Sequence, residues 1–219
     1  DSVKYAIQEE QLGTGHAVMQ AAKLLEGKKG KVLILNGDHP IMRPETLKNL
    51  VEESNRKGES ATILTMVHDQ MIPYGKIIHD ESGRIKEIVE HKDCNSEQLQ
   101  IREVNLGMYC FDIQDLLQAL KELKNDNAQN EYYLTDVIKI MYDKGLKTGS
   151  IVVSDNAEVL GVNDRMDLQI LTKALQLRIN TEHMKNGVTI EDINNTYIYD
   201  DVEIGIDTII HPNTTIKSG

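Results

Sequence analysis

Asp38 follows the apolar run KVLILN at residues 31–36, with Gly37 between them. A carboxylate at the carboxyl end of an apolar strand stands where open α/β sheets keep their ligand crevice. Its hard oxygens suit magnesium, which accepts few protein oxygens and keeps waters or phosphate oxygens as its other ligands. Gly-Asp-His-Pro would serve equally as a turn with a side-chain cap, and position alone does not separate the two readings. A second candidate is QEEQLGTGHA at residues 8–17, where Gly13-Thr14-Gly15 leads into a helical pattern and lets a ligand approach the backbone near a helix N-terminus. Its spacing meets neither the P-loop nor the dinucleotide-binding pattern, and a helix start with flexible glycines explains it as well. Three further segments carry polar groups suited to sugar hydroxyls: Glu90-His91-Lys92, Asn105-Leu106-Gly107, and the run from Glu131 to Asp136. Each also has a plain explanation, as a solvated charge run, a strand bulge at glycine, and a helix cap packed by tyrosine. Asn163, just before a long helical pattern, reads as an N-cap.

These residues need elements to hold them. Residues 31–36 suit a strand covered on both faces of a parallel sheet. Before it, Ala17, Ala21, Leu24 and Leu25 mark a helix over 14–25, with Gly27 as its stop. The alternation continues with a helix over 44–56, a strand over 61–67 and a hairpin of 76–79 with 85–89 around Ser82-Gly83. A strand over 104–111 follows, then helices over 113–124 and 133–144 and a strand near 151–153. A helix over 164–186 places Leu168, Leu171, Leu175 and Ile179 on one face and stops at Gly187. The tail changes period: Ile198, Ile204, Ile210 and Ile216 recur every six residues, the mark of a left-handed parallel β-helix. Two alternating strands would also give even spacing. The expectation is an α/β chain with a mixed sheet, a closing helix and barely more than one coil of β-helix.

Composition narrows the functional classes. With 219 residues, 40% of them hydrophobic, the chain can bury one substantial core and a small second unit. A net charge of -11 and a pI near 5.1 argue against nucleic acid or an anionic membrane as partner. There is no apolar run of transmembrane length, and the polar, acidic opening is unlike a signal peptide, so the expected compartment is the cytoplasm. Cys94 and Cys110 are too few and too isolated for a disulfide framework or a zinc site. With no Trp and one Phe, little aromatic surface is left for stacking single strands.

Taken in order, QEEQLGTGHAV from Gln8, NGDHP from Asn36, PYGKI from Pro73, IVEHKD from Ile88, EVNLGMY from Glu103, NAQNEYYLTD from Asn127, EVLGVNDR from Glu158 and the six-residue tail form a specific combination. It resembles the bifunctional bacterial N-acetylglucosamine-1-phosphate uridyltransferase/glucosamine-1-phosphate acetyltransferase family over essentially the whole chain. The resemblance implies a Rossmann-like uridyltransferase domain at 1–163, a linking helix at 164–187, and the first coil of a left-handed β-helix at 188–219. It implies that Gln8, Gly13 and Thr14 bind uracil, and that Asn36, Gly37 and Asp38 form a substrate-binding turn. Asp38 and Asn163 would hold Mg2+ against the phosphates, with Asp38 the catalytic residue. Gly75, Glu90, Asn105, Tyr133 and Thr135 would line the N-acetylglucosamine pocket. The implied partners are UTP, N-acetylglucosamine 1-phosphate and the product UDP-N-acetylglucosamine. Acetyl-CoA and a homotrimer belong to the full-length protein.

The chain also departs from the family pattern. The family's opening strand and glycine-rich phosphate loop do not precede Asp1, so the chain alone is expected to be inactive. Asn36 stands where relatives often carry other small or aromatic residues, and Leu106 replaces a frequent Thr. The acetyltransferase residues would lie beyond Gly219, and His211 is not assigned to them. Two other readings stand beside this one: a nucleotidyltransferase for another sugar 1-phosphate, and a non-catalytic assembly subunit.

Overall fold

The structure, a computed structural model, describes residues 3–219. They divide into two compact units, residues 3–36 with 43–156, and residues 37–42 with 157–219.

The first unit is organised by one long strand. Helix α1 (Thr14–Leu25) leads to β1 (Lys31–Ile34), and α2 (Pro44–Lys57) to β2 (Ala61–Val67). The hairpin β3 (Lys76–His79) and β4 (Ile85–Val89) precedes β5 (Glu103–Asp112), and α3 (Ile113–Leu120), α4 (Asp136–Asp143) and β6 (Thr148–Val152) follow. β5 runs antiparallel to β2, which is parallel to β6, so the sheet is mixed. On its other edge β5 changes partner: Val104 pairs with Lys76 of β3, whereas Tyr109 to Asp112 pair with β1. The local signals behave as expected. Pro44 opens α2, Gly58 closes it in the left-handed conformation, and Asp112 caps α3 by accepting from the Gln114 and Asp115 amides. Ile63, Ile77, Ile88, Phe111, Leu116, Ile138 and Met141 fill the core between sheet and helices. Each such side chain contributes about 1.5–3 kcal/mol by leaving water.

Several expectations are corrected. The run at 31–36 pairs antiparallel, not parallel, with β5 and ends at Ile34. It is only half-buried, with Leu35 exposed, because an open apolar groove lies beside it, lined by Thr14, Ala17, Val18 and Ala21 of α1 and by Leu33 and Leu35. Helix α3 stops at Leu120, and α4 starts only at Asp136, since residues 132–134 are taken up by hydrogen bonds to residues 12–15. β6 begins three residues earlier than apolarity indicates and ends one earlier, because it is its parallel pairing with β2 that fixes its bounds, from Ala61↔Thr148 on.

In the second unit, Asp164 accepts from the Met166 and Asp167 amides and starts α5 (Arg165–Lys185). Only part of the expected apolar face is covered: Leu171 is buried and Leu168 exposed. The buried line of α5 is instead partly polar, for Gln176 and Asn180 turn inward. Asn180 donates to the carbonyls of Ile193 (3.0 Å) and Thr196 (2.9 Å). Beyond the helix come four two-residue strands: β7 (Thr189–Ile190), β8 (Tyr197–Ile198), β9 (Ile209–Ile210) and β10 (Thr215–Ile216). β7 pairs parallel with β9, and β8 with β10. Ile198 and Ile210 are buried with Val188 and Ile190, and Ile204 and Ile216 pack partly against them.

Candidate active site

β5 contains the feature that aims the first group of residues. Its register against β2 jumps from Ile63↔Tyr109 to Thr65↔Asn105, so residues 106–108 stand opposite Leu64 alone. Gly107 takes φ 72 there, a left-handed backbone that a side chain would resist. The bulge and the candidate site are therefore one feature. Asn105 donates its backbone N–H to the Gly75 carbonyl at 2.8 Å. A Cβ on Gly75 would come within 3.3 Å of a Glu90 carboxylate oxygen and 3.6 Å of Asn105 Cβ, so this glycine keeps the strand close to both. Thr135 donates to Glu90 at 3.0 Å. Burial pushes the Glu90 carboxyl up against that hydrogen bond, and burial with the charges of Glu90, Asp93 and Glu87 raises Asp136 to about 6. The Tyr133 hydroxyl is buried and, among the described residues, meets no partner in hydrogen-bonding geometry, with Gln129 the polar side chain beside it. Gly75, Glu90, Asn105 and Thr135 thus converge, with Tyr133 two residues from Thr135.

The glycine-rich segment is joined to the same strip of chain. Leu12 accepts from the Tyr132 amide (2.8 Å), the Gly15 amide donates to the Tyr132 carbonyl (2.7 Å), and Thr14 Oγ1 accepts from the Leu134 amide (3.1 Å). A Cβ on Gly13, which has φ 108, would lie 2.7 Å from the Tyr132 carbonyl, and one on Gly15 would lie 2.9 Å from it. Close packing therefore demands both glycines. Gln8 closes the loop by donating to the Gly13 carbonyl at 3.1 Å. Gly15 and Tyr132 lie in segments the sequence singles out, but what they do, packing the two segments together, was not read from it, nor was His16, whose ring meets Gln8 at 3.1 Å. Asn36 lies against Gly107, its Nδ2 filling the space a Cβ there would occupy.

In the second unit Asp38 and Asn163 are brought to one place by backbone pairing, the Val162 amide donating to the Asp38 carbonyl at 2.9 Å. The Asp38 carboxylate lies over Gly161, where a Cβ would be 3.4 Å from Oδ2, and is 46% exposed. The capping role expected of Asn163 falls to Asp164, whose extended backbone turns its carboxylate onto the first amides of α5. Asn163 stays exposed. One accessible carboxylate and one carboxamide oxygen, with open positions around them, fit a cation that takes few protein oxygens. Among the described residues no three or more His, Cys, Asp or Glu are grouped to hold a metal.

The family model described as nucleotidyl transferase matches residues 2–192. This chain belongs to that family. Its mixed sheet is that of a Rossmann-like nucleotidyltransferase domain. The bifunctional protein GlmU of Acetivibrio thermocellus is 49% identical over 99% of this chain and 47% of that protein. The proteins of the same name from Clostridium novyi (51%, over 98% and 47%) and Pediococcus pentosaceus (52%, over 99% and 46%) are similar in the same way. The resemblance read from the motifs is borne out, and the chain spans about half the length of the curated relatives it matches. A solved structure, of a UDP-glucose pyrophosphorylase complexed with UDP-glucose, covers 63% of this chain and 53% of that one at 20% identity and a TM-score of 0.49, too remote to bear on substrate. No helix among the described residues of this nucleotidyl transferase is long and apolar enough to cross a membrane.

Proposed function

We propose that this nucleotidyl transferase domain joins UTP to N-acetylglucosamine 1-phosphate, releasing pyrophosphate and UDP-N-acetylglucosamine. The observation that carries the reading is the convergence of Gly75, Glu90, Asn105 and Thr135 at the β5 bulge, with the buried Tyr133 hydroxyl beside them. Such a group offers fixed donors and acceptors to a sugar and its acetamido substituent. In this reading Gln8, Gly13 and Thr14 receive the uracil, their loop held rigid by its bonds to residues 132–134. Asn36 and Gly37 border the phosphates, and Asp38 and Asn163 present oxygens to Mg2+. The cation, when bound, neutralises phosphate charge.

A phosphate oxygen of the sugar attacks the α-phosphorus of UTP, the bond to the pyrophosphate oxygen breaks, and no covalent enzyme intermediate is required. The residues of the chain act by holding the two substrates in line and excluding alternative poses. The same reading takes residues 1–163 as the transferase domain, 164–187 as a linking helix and 188–219 as the opening of a left-handed β-helix. The parallel pairing of β7 with β9 and β8 with β10 supports this last assignment. It further implies a cytoplasmic protein for cell-wall precursor synthesis that, at full length, is a homotrimer using acetyl-CoA in a second activity.

The test is pyrophosphate release by the longest natural polypeptide carrying this chain, offered UTP or dTTP with N-acetylglucosamine or glucose 1-phosphate. Turnover confined to UTP with the N-acetyl sugar is expected, falling about a thousandfold in Asp38→Ala with an unchanged melting temperature. Preference for another pair would sink the proposal.

A further inference from the structure

The Asn105 carboxamide is anchored at both ends. The Gly107 N–H, which can only donate, meets Oδ1 at 3.1 Å and so settles which end of the amide is which. Nδ2 then donates to the Tyr109 hydroxyl at 2.8 Å. Tyr109 is 3% exposed, stacks on Phe111 with ring centroids 5.4 Å apart, and pairs with Ile34 of β1 and Ile63 of β2. Its hydroxyl is therefore held by the sheet itself. Burial pushes the phenol up, so it remains neutral and can accept from an amide without charge. Phe111, two residues on, shows that an unsubstituted ring packs on this face; the hydroxyl of Tyr109 is accounted for by what it holds.

A carboxamide has two N–H donors and two acceptor lone pairs on oxygen. Gly107 and Tyr109 take one of each, which leaves Asn105 one donor and one acceptor. The free N–H suits the carbonyl oxygen of an acetamido group, and a hydroxyl in place of that group has no carbonyl to reach it. Resting on the reading that Asn105 faces the acetamido sugar, we propose that Tyr109 is a positioning residue: its hydroxyl holds Asn105 in the orientation that recognises the N-acetyl group, and so sets the preference for N-acetylated sugar phosphates.

Tyr109→Phe tests this in the natural full-length enzyme. The ratio of kcat/KM for N-acetylglucosamine 1-phosphate over glucose 1-phosphate is expected to fall roughly tenfold, with KM for UTP and the melting temperature unchanged. In an Asn105→Ala background the same change should have no further effect on the ratio. A preference that Tyr109→Phe leaves intact, or an effect that adds fully to that of Asn105→Ala, overturns the role of Tyr109 alone. A wild-type enzyme without the preference overturns the sugar reading and the discrimination with it. An independent readout needs no substrate: the side-chain amide protons of Asn105, identified by their loss in Asn105→Ala, should shift toward unstructured values in Tyr109→Phe. Unchanged shifts overturn the proposal.

Discussion

At the scale of single residues, the candidate site carries its own electrostatic cost. Asp136 is half-buried near Glu90 and within the field of Asp93 and Glu87, and burial with those charges raises its pKa from 3.8 to about 6. A carboxyl whose pKa is raised by folding binds more protons folded than unfolded, so stability declines as pH climbs from about 4 to about 6 and stays reduced above that. Asp136→Asn should therefore stabilise the chain by about 1–2 kcal/mol at pH 8 and change little at pH 4, as measured by urea denaturation at both values. Equal effects at the two pH values would assign the gain to packing instead. Asp38, Glu90, Asn105 and Thr135 could be singled out in the sequence only through the family resemblance, since by position each also reads as a turn, a charge run, a bulge or a helix cap. Tyr109 was not, since an aromatic in the middle of an apolar strand reads as core, which it also is. Gly15 was read with Gly13 as a flexible helix start, because its close contact with the Tyr132 carbonyl depends on a segment far along the chain.

At the scale of elements, apolar periodicity located α1, β2, β3 and β4 to the residue or nearly so, because each is a compact run with Gly or Ser close to at least one end. It failed where partners decide. β6 takes its register from β2, the start of α4 is delayed by the strip at 131–134 that binds the glycine loop, and α5 turns two amides inward where a face of leucines was expected. One polar feature of the sheet has a measurable signature. His79 of β3 meets the Gly83 carbonyl with Nδ1 (3.1 Å) and the Glu103 carboxylate with Nε2 (2.8 Å), two acceptors that require both ring nitrogens to carry protons. Burial opposes that charge most strongly, but the Glu103 hydrogen bond and charge, the Gly83 carbonyl and Asp80 together raise the pKa above 6.5. A raised histidine pKa stabilises fully below the unfolded value and is lost as pH rises through the folded one. Between pH 6 and 9 the urea midpoint should fall more steeply in the wild type than in His79→Gln. Parallel curves would show that the ring is neutral and the hairpin is held without it.

At the scale of the whole molecule, the surface of the first unit is unfinished at one edge. β1 is paired on one side by β5, and the apolar groove of about 470 Å³ between it and α1 leaves Leu35 45% exposed. An open strand edge beside apolar surface promotes association. The isolated chain should therefore sediment above its 24.7 kDa as concentration rises, and Leu35→Lys should move it back toward that mass. Sedimentation at monomer mass throughout would show that the edge is protected. The tail is tied to its helix. Asn180 and Gln176 reach out of α5 to the carbonyls of Ile193, Thr196 and Ile198, and β7 and β8 on either side of that loop are what β9 and β10 pair with. The helix is thus a casting surface for these strand pairs, and whatever loosens it loosens them as well.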